Sequence, residues 1–425
     1  MTLQIRSISL LLRKFDSMRE GERILKSFEE WRQTQQFLPP PQPAHARERR
    51  KLLIIRLDDI GDFLLFRNQL PSYRASERWQ HHQITLLGNS SWRALFEACD
   101  SQAVDDVIWV NKGEALSSAA YRLQLWQQLR AQGFEAVIAA SRTRPLILDD
   151  LCTLAAAPAR AMGAVNTYLH QSWNQVSDAL YQELFQASDP SMHEFAFNGE
   201  FAAWSCGMRF EGRRPVLDLS AASAAGKAAW TGTVEAGPSY IVCFVGATTR
   251  SKRWPVERWI EFIELYQRAL SGRVVVAGNS RREIETAARI EARTGARSIA
   301  GRASLLELAS CVAGACAVIS NDTMAAHLGV SCNRPTVIIA NGVNYERFTD
   351  YAEAGIPGVV TVYPGVFVRR RQRLGNVPYH YPQAVSADMA SIKANEVLDA
   401  LRQLLSGDAA AAKHEQRQHS QTKIR

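Results

Sequence analysis

Apolar positions fall into two repeating rhythms along most of the chain. The run LLII after Lys51 is continuous enough for a strand buried on both faces. The text that follows, LDDIGDFLLFRNQLPSYR, predicts a turn over Asp58 to Asp62 and then a helix. Strands are expected at Gln83 to Leu87, Asp106 to Val110 and Ala136 to Ala140. Helices are expected over Trp92 to Ala98 and Tyr121 to Gln132, the second stopped by Gly133. Residues from about Gln171 to Gly212 read as mostly helical, and the Ala-rich, Gly-bearing stretch Ser220 to Gly237 reads as an inter-domain connection. A second series starts with a strand at Tyr240 to Val245. It continues with a helix over Val256 to Leu270, a strand at Arg273 to Ala277, a helix over Arg281 to Thr294 and strands at Ala317 to Ile319 and Thr336 to Ala340. Strands alternating with helices in this way predict an α/β protein with two Rossmann-like, doubly wound domains facing a cleft, where ligands lie beyond the carboxyl ends of the strands.

The ends of the chain follow other patterns. Ile5, Ile8, Leu11 or Leu12, and Phe15 recur at helical spacing beside Arg6, Arg13 and Lys14, and Ile24, Phe28 and Trp31 form a second helical pattern before the prolines at 39 to 43. Such a basic extension either lies on an anionic membrane face or packs as an accessory helix on the body, if it is not a disordered arm. A last helix is expected over Val385 to Leu405, and the Ala-, Lys- and Gln-rich tail reads as disordered. The resulting division is an extension at 1–50, domains at 51–225 and 226–385, a helix at 386–406 and a tail at 407–425.

Composition narrows the partners. The 425 residues are 46% hydrophobic and 22% charged, with a formal net charge of +8, as expected of a globular protein with an anionic partner such as a nucleotide, a phosphorylated glycolipid or a membrane surface. No zinc, RNA-recognition or basic-zipper motif accompanies the charge, which argues against nucleic acid. The seven cysteines form no CxxC pair and read as thiols of a reducing compartment. No apolar run reaches the roughly 18 residues of a membrane span. Cytoplasmic residence is the expectation, with peripheral contact to the inner membrane face left open.

The stretch AVISNDTMAAHLGV at 317 to 330 reads as a strand, a polar elbow and a new helix. Such an elbow offers unpaired backbone N–H groups and the positive end of a helix dipole to a phosphate or diphosphate. Thr248, Thr249 and Lys252, after the strand at 240, supply hydroxyls and an ammonium that suit the same anion. Arg250 and Arg253 read as solvent-facing unless either reaches the phosphate, and Trp254 as a packing residue. Gly61 and Asp62 follow the first strand. A carboxylate there either caps the next helix or serves as a general base, while Asp58 and Asp59 read as structural. Arg369, Arg370, Arg371 and Arg373 form a basic cluster that is either a solvated charge run or a site for a phosphorylated acceptor. No spacing suggests a metal site.

Three segments taken in order carry a resemblance: RLDDIGDFLL at 56–65, GATTRSKRWPVERW at 246–259 and SNDTMAAHLG at 320–329. Together with RASLLELA at 302–309 and DMASIKANEVLDAL at 388–401, they resemble glycosyltransferase family 9, the heptosyltransferase-like enzymes of lipopolysaccharide synthesis, over roughly residues 51 to 405. The resemblance implies a GT-B-like fold and inverting, metal-independent transfer of a sugar, with an ADP-linked heptose as the family's donor, to a lipopolysaccharide-type or other surface glycan. It implies Asp62 as the base, Lys252 as the stabiliser of the leaving group, and Gly61, Thr248, Thr249, Glu283, Asp322, Thr323 and His327 as substrate contacts, Glu283 at the ribose; by their own setting His327 reads equally as a core hydrogen-bonding residue and Glu283 as a surface-helix glutamate. It implies no cofactor and no metal. Met324 stands where the family has glycine. That departure and the N-terminal extension keep open a catalytically inactive nucleotide-sugar-binding protein in a glycan assembly complex, and a nucleotide-sugar epimerase is a third reading.

Overall fold

The computed structural model describes residues 19–41, 50–167, 171–210, 212, 214–220, 240–374 and 387–407. They form two compact units, one of residues 1–189 and 197–211 and the other of 190–196 and 212–425. The outer N-terminal helical pattern, nearly all of the expected connection and the tail lie outside the described residues.

The first unit holds a six-stranded sheet of β1 (Lys51–Arg56), β2 (Gln83–Asn89), β3 (Asp106–Val110), β4 (Ala136–Ala139), β5 (Arg160–Ala164) and β6 (Glu183–Phe185), ordered β3-β2-β1-β4-β5-β6. Every pairing is parallel, with Leu53 opposite Thr85 and Val137. The central strands are buried along nearly their whole length, as sheets covered on both faces require. On one face Leu53, Ile55 and Val137 pack with Trp126 and Leu129 of the helix Ala119–Gln132, which ends at Gly133 in the left-handed region (φ 62°). The helix Arg19–Thr34 docks on the same cluster, where Trp31 meets Trp126 edge to face with centroids 4.9 Å apart and Arg122 pairs with Glu30. For this part of the extension the structure selects the accessory-helix alternative.

The second unit repeats the plan with β7 (Tyr240–Phe244), β8 (Arg273–Ala277), β9 (Arg297–Ser298), β10 (Ala317–Asn321), β11 (Thr336–Ile339) and β12 (Val359–Val362), ordered β12-β11-β10-β7-β8-β9 and again parallel. Counted from its own first strand, this is the same order as in the first unit. In both, the direction of winding reverses beside the first strand, between β1 and β4 and between β7 and β10. Ligands of doubly wound sheets bind beyond the strand ends at such a reversal. The core joins Ile241 and Cys243 to Trp259, Phe262 and Ile263 of the helix Val256–Leu270 and to Ile392, Val397 and Leu401 near the C-terminus.

Several expectations are corrected. The predicted turn at Asp58 to Asp62 is shorter, because the helix Ile60–Phe66 already begins at Ile60 and puts Gly61 and Asp62 in its first turn. The single helix expected over Val385 to Leu405 is a 3-10 turn at Met389–Ser391 followed by a helix at 394–407. Asp388 caps that turn by accepting from Ala390 N, and Glu396 accepts from Lys393 N at the start of the helix. The stretch read as mostly helical contains β6 as well as the helices Gln171–Asp178 and Glu194–Cys206.

Candidate functional site

At the reversal of the second sheet, Asn321 ends β10 and is completely buried. Its Nδ2 donates to the carbonyls of Val245 (3.1 Å) and Gly246 (3.0 Å), and its Oδ1 accepts from Trp254 N (3.2 Å). One side chain therefore ties the loop after β7 to the end of β10. A buried amide left without these partners would carry the full cost of desolvation. The indole of Trp254 adds a donation to Ile392 O at 3.0 Å. Within the loop, Lys252 closes a short 3-10 turn, and its Nζ lies 2.9 Å from Asp322 Oδ2. The same oxygen accepts from Asn344 Nδ2 at 3.0 Å. The carboxylate side chain is 3% exposed and the lysine 19%, so the pair sits at the unit's surface with the acid underneath. An ammonium has three donors, and Asp322 uses one in a fixed direction.

Thr323 is the N-cap of the helix Met324–Ser331; its hydroxyl accepts from Ala325 N and lies 3.2 Å from Ser320 Oγ. Thr248 and Thr249 are exposed on the loop. Arg253, expected in solvent, instead folds under that loop and donates to Ala247 O (2.6 Å) and Thr248 O (2.9 Å). Thr248, Thr249 and Lys252 thus lie on the loop that Asn321 ties to the end of β10, where a helix begins, groups of a kind suited to a diphosphate. Met324 is the first helical residue and is half-buried.

Two further residues have structural partners. Glu283 forms the capping box of the helix Arg281–Thr294, its Oε2 accepting from Asn279 N (2.8 Å) and Ser280 N (2.7 Å). A Cβ on Gly246 would fall 1.5 Å from Glu283 Oε1, so the glycine is what allows this carboxylate to lie over the end of β7. His327 is buried, with Nδ1 2.5 Å from Tyr351 Oη, and burial drives its pKa down to about 4 against the pull of Asp322. Near neutral pH the ring is uncharged and braces the elbow from inside.

The reversal of the first sheet is organised around a residue that the motif reading passed over. Arg56, the last residue of β1, is fully buried. Its Nε pairs with Asp58 Oδ1 at 2.9 Å, its Nη2 donates to Asp62 O at 3.2 Å, and its Nη1 donates to Asn198 Oδ1 at 3.1 Å and to Ala140 O just past β4. A single guanidinium thus fixes the backbone beneath Asp62 from two neighbouring strand ends. Asn89 Nδ2 and Trp92 Nε1 both donate to Asp58 O, and Lys112 Nζ pairs with Asp59 at 2.8 Å. Asp58 and Asp59 are therefore structural, as expected, while the half-buried Asp62 carboxylate belongs to the helix's first turn. Deeper in this unit Arg144 pairs with Asp150 and Asp178, and Tyr181 donates to Asp150 at 2.7 Å. Beside them, burial and the Asp150 charge raise the pKa of Asp149 to about 7. Among the described residues, no group of acids, histidines and cysteines is arranged to hold a metal, and no helix is long and apolar enough to cross a membrane.

Comparison with known proteins follows the same outline. The profile described as glycosyltransferase family 9 (heptosyltransferase) matches residues 156–353. That segment includes Lys252, Glu283, Asp322, Thr323 and His327 but not Asp62, so it is narrower than the span of the motif resemblance. No curated protein sequence matches the chain. Among solved structures, the family 9 glycosyltransferase of Veillonella parvula is 15% identical with a TM-score of 0.65, covering 84% of this chain and 97% of that one. The E. coli heptosyltransferase WaaC with ADP is 19% identical with a TM-score of 0.61, covering 83% and 99%. E. coli ADP-heptose lps heptosyltransferase II is 17% identical with a TM-score of 0.59, covering 84% and 99%. At these identities the likeness is one of fold: two parallel α/β sheets of GT-B-like type. The profile match makes residues 156–353, a little under half of the chain, similar to a glycosyltransferase family 9 (heptosyltransferase) domain, and the solved structures show that the whole α/β fold is of the same kind.

Proposed function

We propose that this protein transfers a sugar with inversion from a nucleotide-diphosphate donor, ADP-heptose being the first candidate, to a lipopolysaccharide-type or other surface glycan. The observation that carries the proposal is the set Thr248, Thr249, Lys252, Asp322 and Thr323 at the reversal of the second sheet. As the glycosidic bond of the donor breaks, its electron pair goes to the diphosphate. Lys252, the two threonines and the helix terminus are the groups on which that growing charge is met. Asp322 keeps Lys252 aimed at the strand ends. No divalent ion is needed in this scheme.

Asp62 is the proposed base. It takes the proton of the acceptor hydroxyl as that oxygen bonds to the anomeric carbon from the face opposite the leaving diphosphate. Arg56 holds the backbone turn that presents this carboxylate. Glu283 retains its proposed place near the donor ribose, through the oxygen that lies against Gly246. The bound ADP and ADP-2-deoxy-2-fluoro heptose of the WaaC structures supply the donor candidate.

The test is a thermal-shift screen of nucleotide sugars followed by transfer assays, since a ligand that binds only the native state raises the melting temperature. A rise with one nucleotide sugar, with turnover abolished in Asp62→Asn but the rise retained, supports the proposal. A rise without transfer to any glycan would favour the inactive binding protein, for which the half-buried Met324 at the helix start is the motivating residue.

A further inference from the structure

The helix Gly365–Leu374 carries four arginines within five residues, and among the described residues only Arg371 meets a carboxylate. Phe367 points inward and is 3% exposed. Arg371, one turn further on, pairs with Glu346 at 3.3 Å and stacks over the Tyr345 ring, its guanidinium 4.6 Å from the centroid. Arg369, Arg370 and Arg373 are exposed, and none meets a carboxylate among the described residues. At 3.6 residues per turn they fall within an arc of about 100° to one side of Phe367, with Arg369 and Arg373 one above the other and Arg370 at the edge of the arc. Val366 and Val368, 56% and 40% exposed, border that row at the start of the helix.

We infer that this face is a docking surface for an anionic lipid membrane. A discrete phosphate is held by donors that converge on it, whereas these three arginines are exposed side chains along one helix with no acid to neutralise them among the described residues. An extended negative surface matches that layout, and the two valines add apolar area that a headgroup layer can take up. The inference is independent of the transfer reaction, because membrane binding is read with no donor or acceptor present.

Each arginine near an anionic membrane contributes about a fivefold gain in partitioning, roughly a hundredfold for three. The experiment is co-sedimentation of the full-length chain with phosphatidylcholine vesicles, with and without phosphatidylglycerol. Three proteins are compared: the native chain, the variant R369Q/R370Q/R373Q, and the control R282Q/R293Q/R297Q, which removes equally exposed arginines elsewhere in the same unit. Thermal melting checks that both variants are folded. The expected result is binding to the phosphatidylglycerol vesicles alone, weakened by salt, reduced roughly a hundredfold in the first variant and nearly unchanged in the control.

Four outcomes overturn the inference. They are no binding by the native chain, equal binding to neutral vesicles, equal loss in both variants (which would make net charge responsible), and binding that persists in the first variant (which would place the contact elsewhere on the chain). Tighter binding to duplex RNA than to vesicles, lost in the same variant, would assign the face to nucleic acid instead.

Discussion

The two sheets have the same strand order and the same point of reversal, yet their carboxyl ends carry opposite chemistry. In the first unit a buried arginine, Arg56, lies beneath a turn bearing Asp58, Asp59 and Asp62, so the strand end presents carboxylates. In the second a buried carboxylate, Asp322, lies beneath a loop bearing Lys252, so the strand end presents an ammonium beside a helix start. In the first unit the buried charge is the counterion of Asp58 and holds the backbone carbonyl of Asp62, while in the second it is the counterion of Lys252 itself. Topology decides where a site lies, and the sign of the buried partner decides what the site attracts.

Exchanging the charges is the most direct way to break that contrast. Asp62→Asn keeps the shape of the first strand end and removes the proposed base. Transfer is expected to fall by about 10²- to 10⁴-fold, with donor affinity unchanged, measured by initial rates and by nucleotide titration. Asp322→Ala leaves Lys252 half-buried without its acid and removes Asn344's acceptor. A loss of about 3 kcal/mol is expected in urea unfolding, against much less for an exposed pair such as Arg281 with Glu285. Thr323→Ala, which removes the cap on the helix Met324–Ser331, is expected to lower stability by about 1 kcal/mol in the same assay.

Acidity gives a finer comparison. Asp149, with its pKa raised to about 7, adds stability that is full below the ordinary carboxylate range and is lost as pH rises through about 7. His327, lowered to about 4, adds stability that is full above the ordinary imidazole value and is lost as pH falls through about 4. Replacing Asp149 by Asn is expected to flatten the fall in stability toward neutral pH. Replacing His327 by Gln is expected to flatten the loss on the acid side. Both are read as differences from the native chain in pH-dependent unfolding.

Much of this contrast was legible in the sequence. The strand Arg273–Ala277 and the helices Val256–Leu270 and Arg281–Thr294 lie where hydrophobic period and cap residues put them, because a Pro–Val start, a Ser-x-x-Glu box and a following glycine are local signals. The strands Arg160–Ala164, Glu183–Phe185 and Val359–Val362 were missed because they are short and their pairing is set by neighbours distant in sequence. Gly163 inside the first of them reads as a breaker, yet a Cβ there would come within 3.1 Å of the Tyr181 ring. In the site, Asp62, Lys252 and Thr323 stood out because they lie in motifs at strand ends. Arg56 and Asn321 did not, because a polar residue closing an apolar strand shows its purpose only when its partners, Ala140 and Asn198 or Val245 and Gly246, come into view. Arg253 reads as solvent-facing for the same reason: its acceptors are backbone carbonyls, to which the sequence gives no clue.

The division of labour between the two strand ends is tested most directly by titrating a nucleoside diphosphate, with ADP as the first probe, into the native chain, Asp62→Asn and Lys252→Ala and following the melting temperature. If the second unit alone grips the diphosphate, the native chain and Asp62→Asn show the same concentration-dependent rise, and Lys252→Ala shows a rise displaced to at least tenfold higher ligand concentration. A rise in Lys252→Ala that matches the native chain, or one abolished by Asp62→Asn instead, would contradict it.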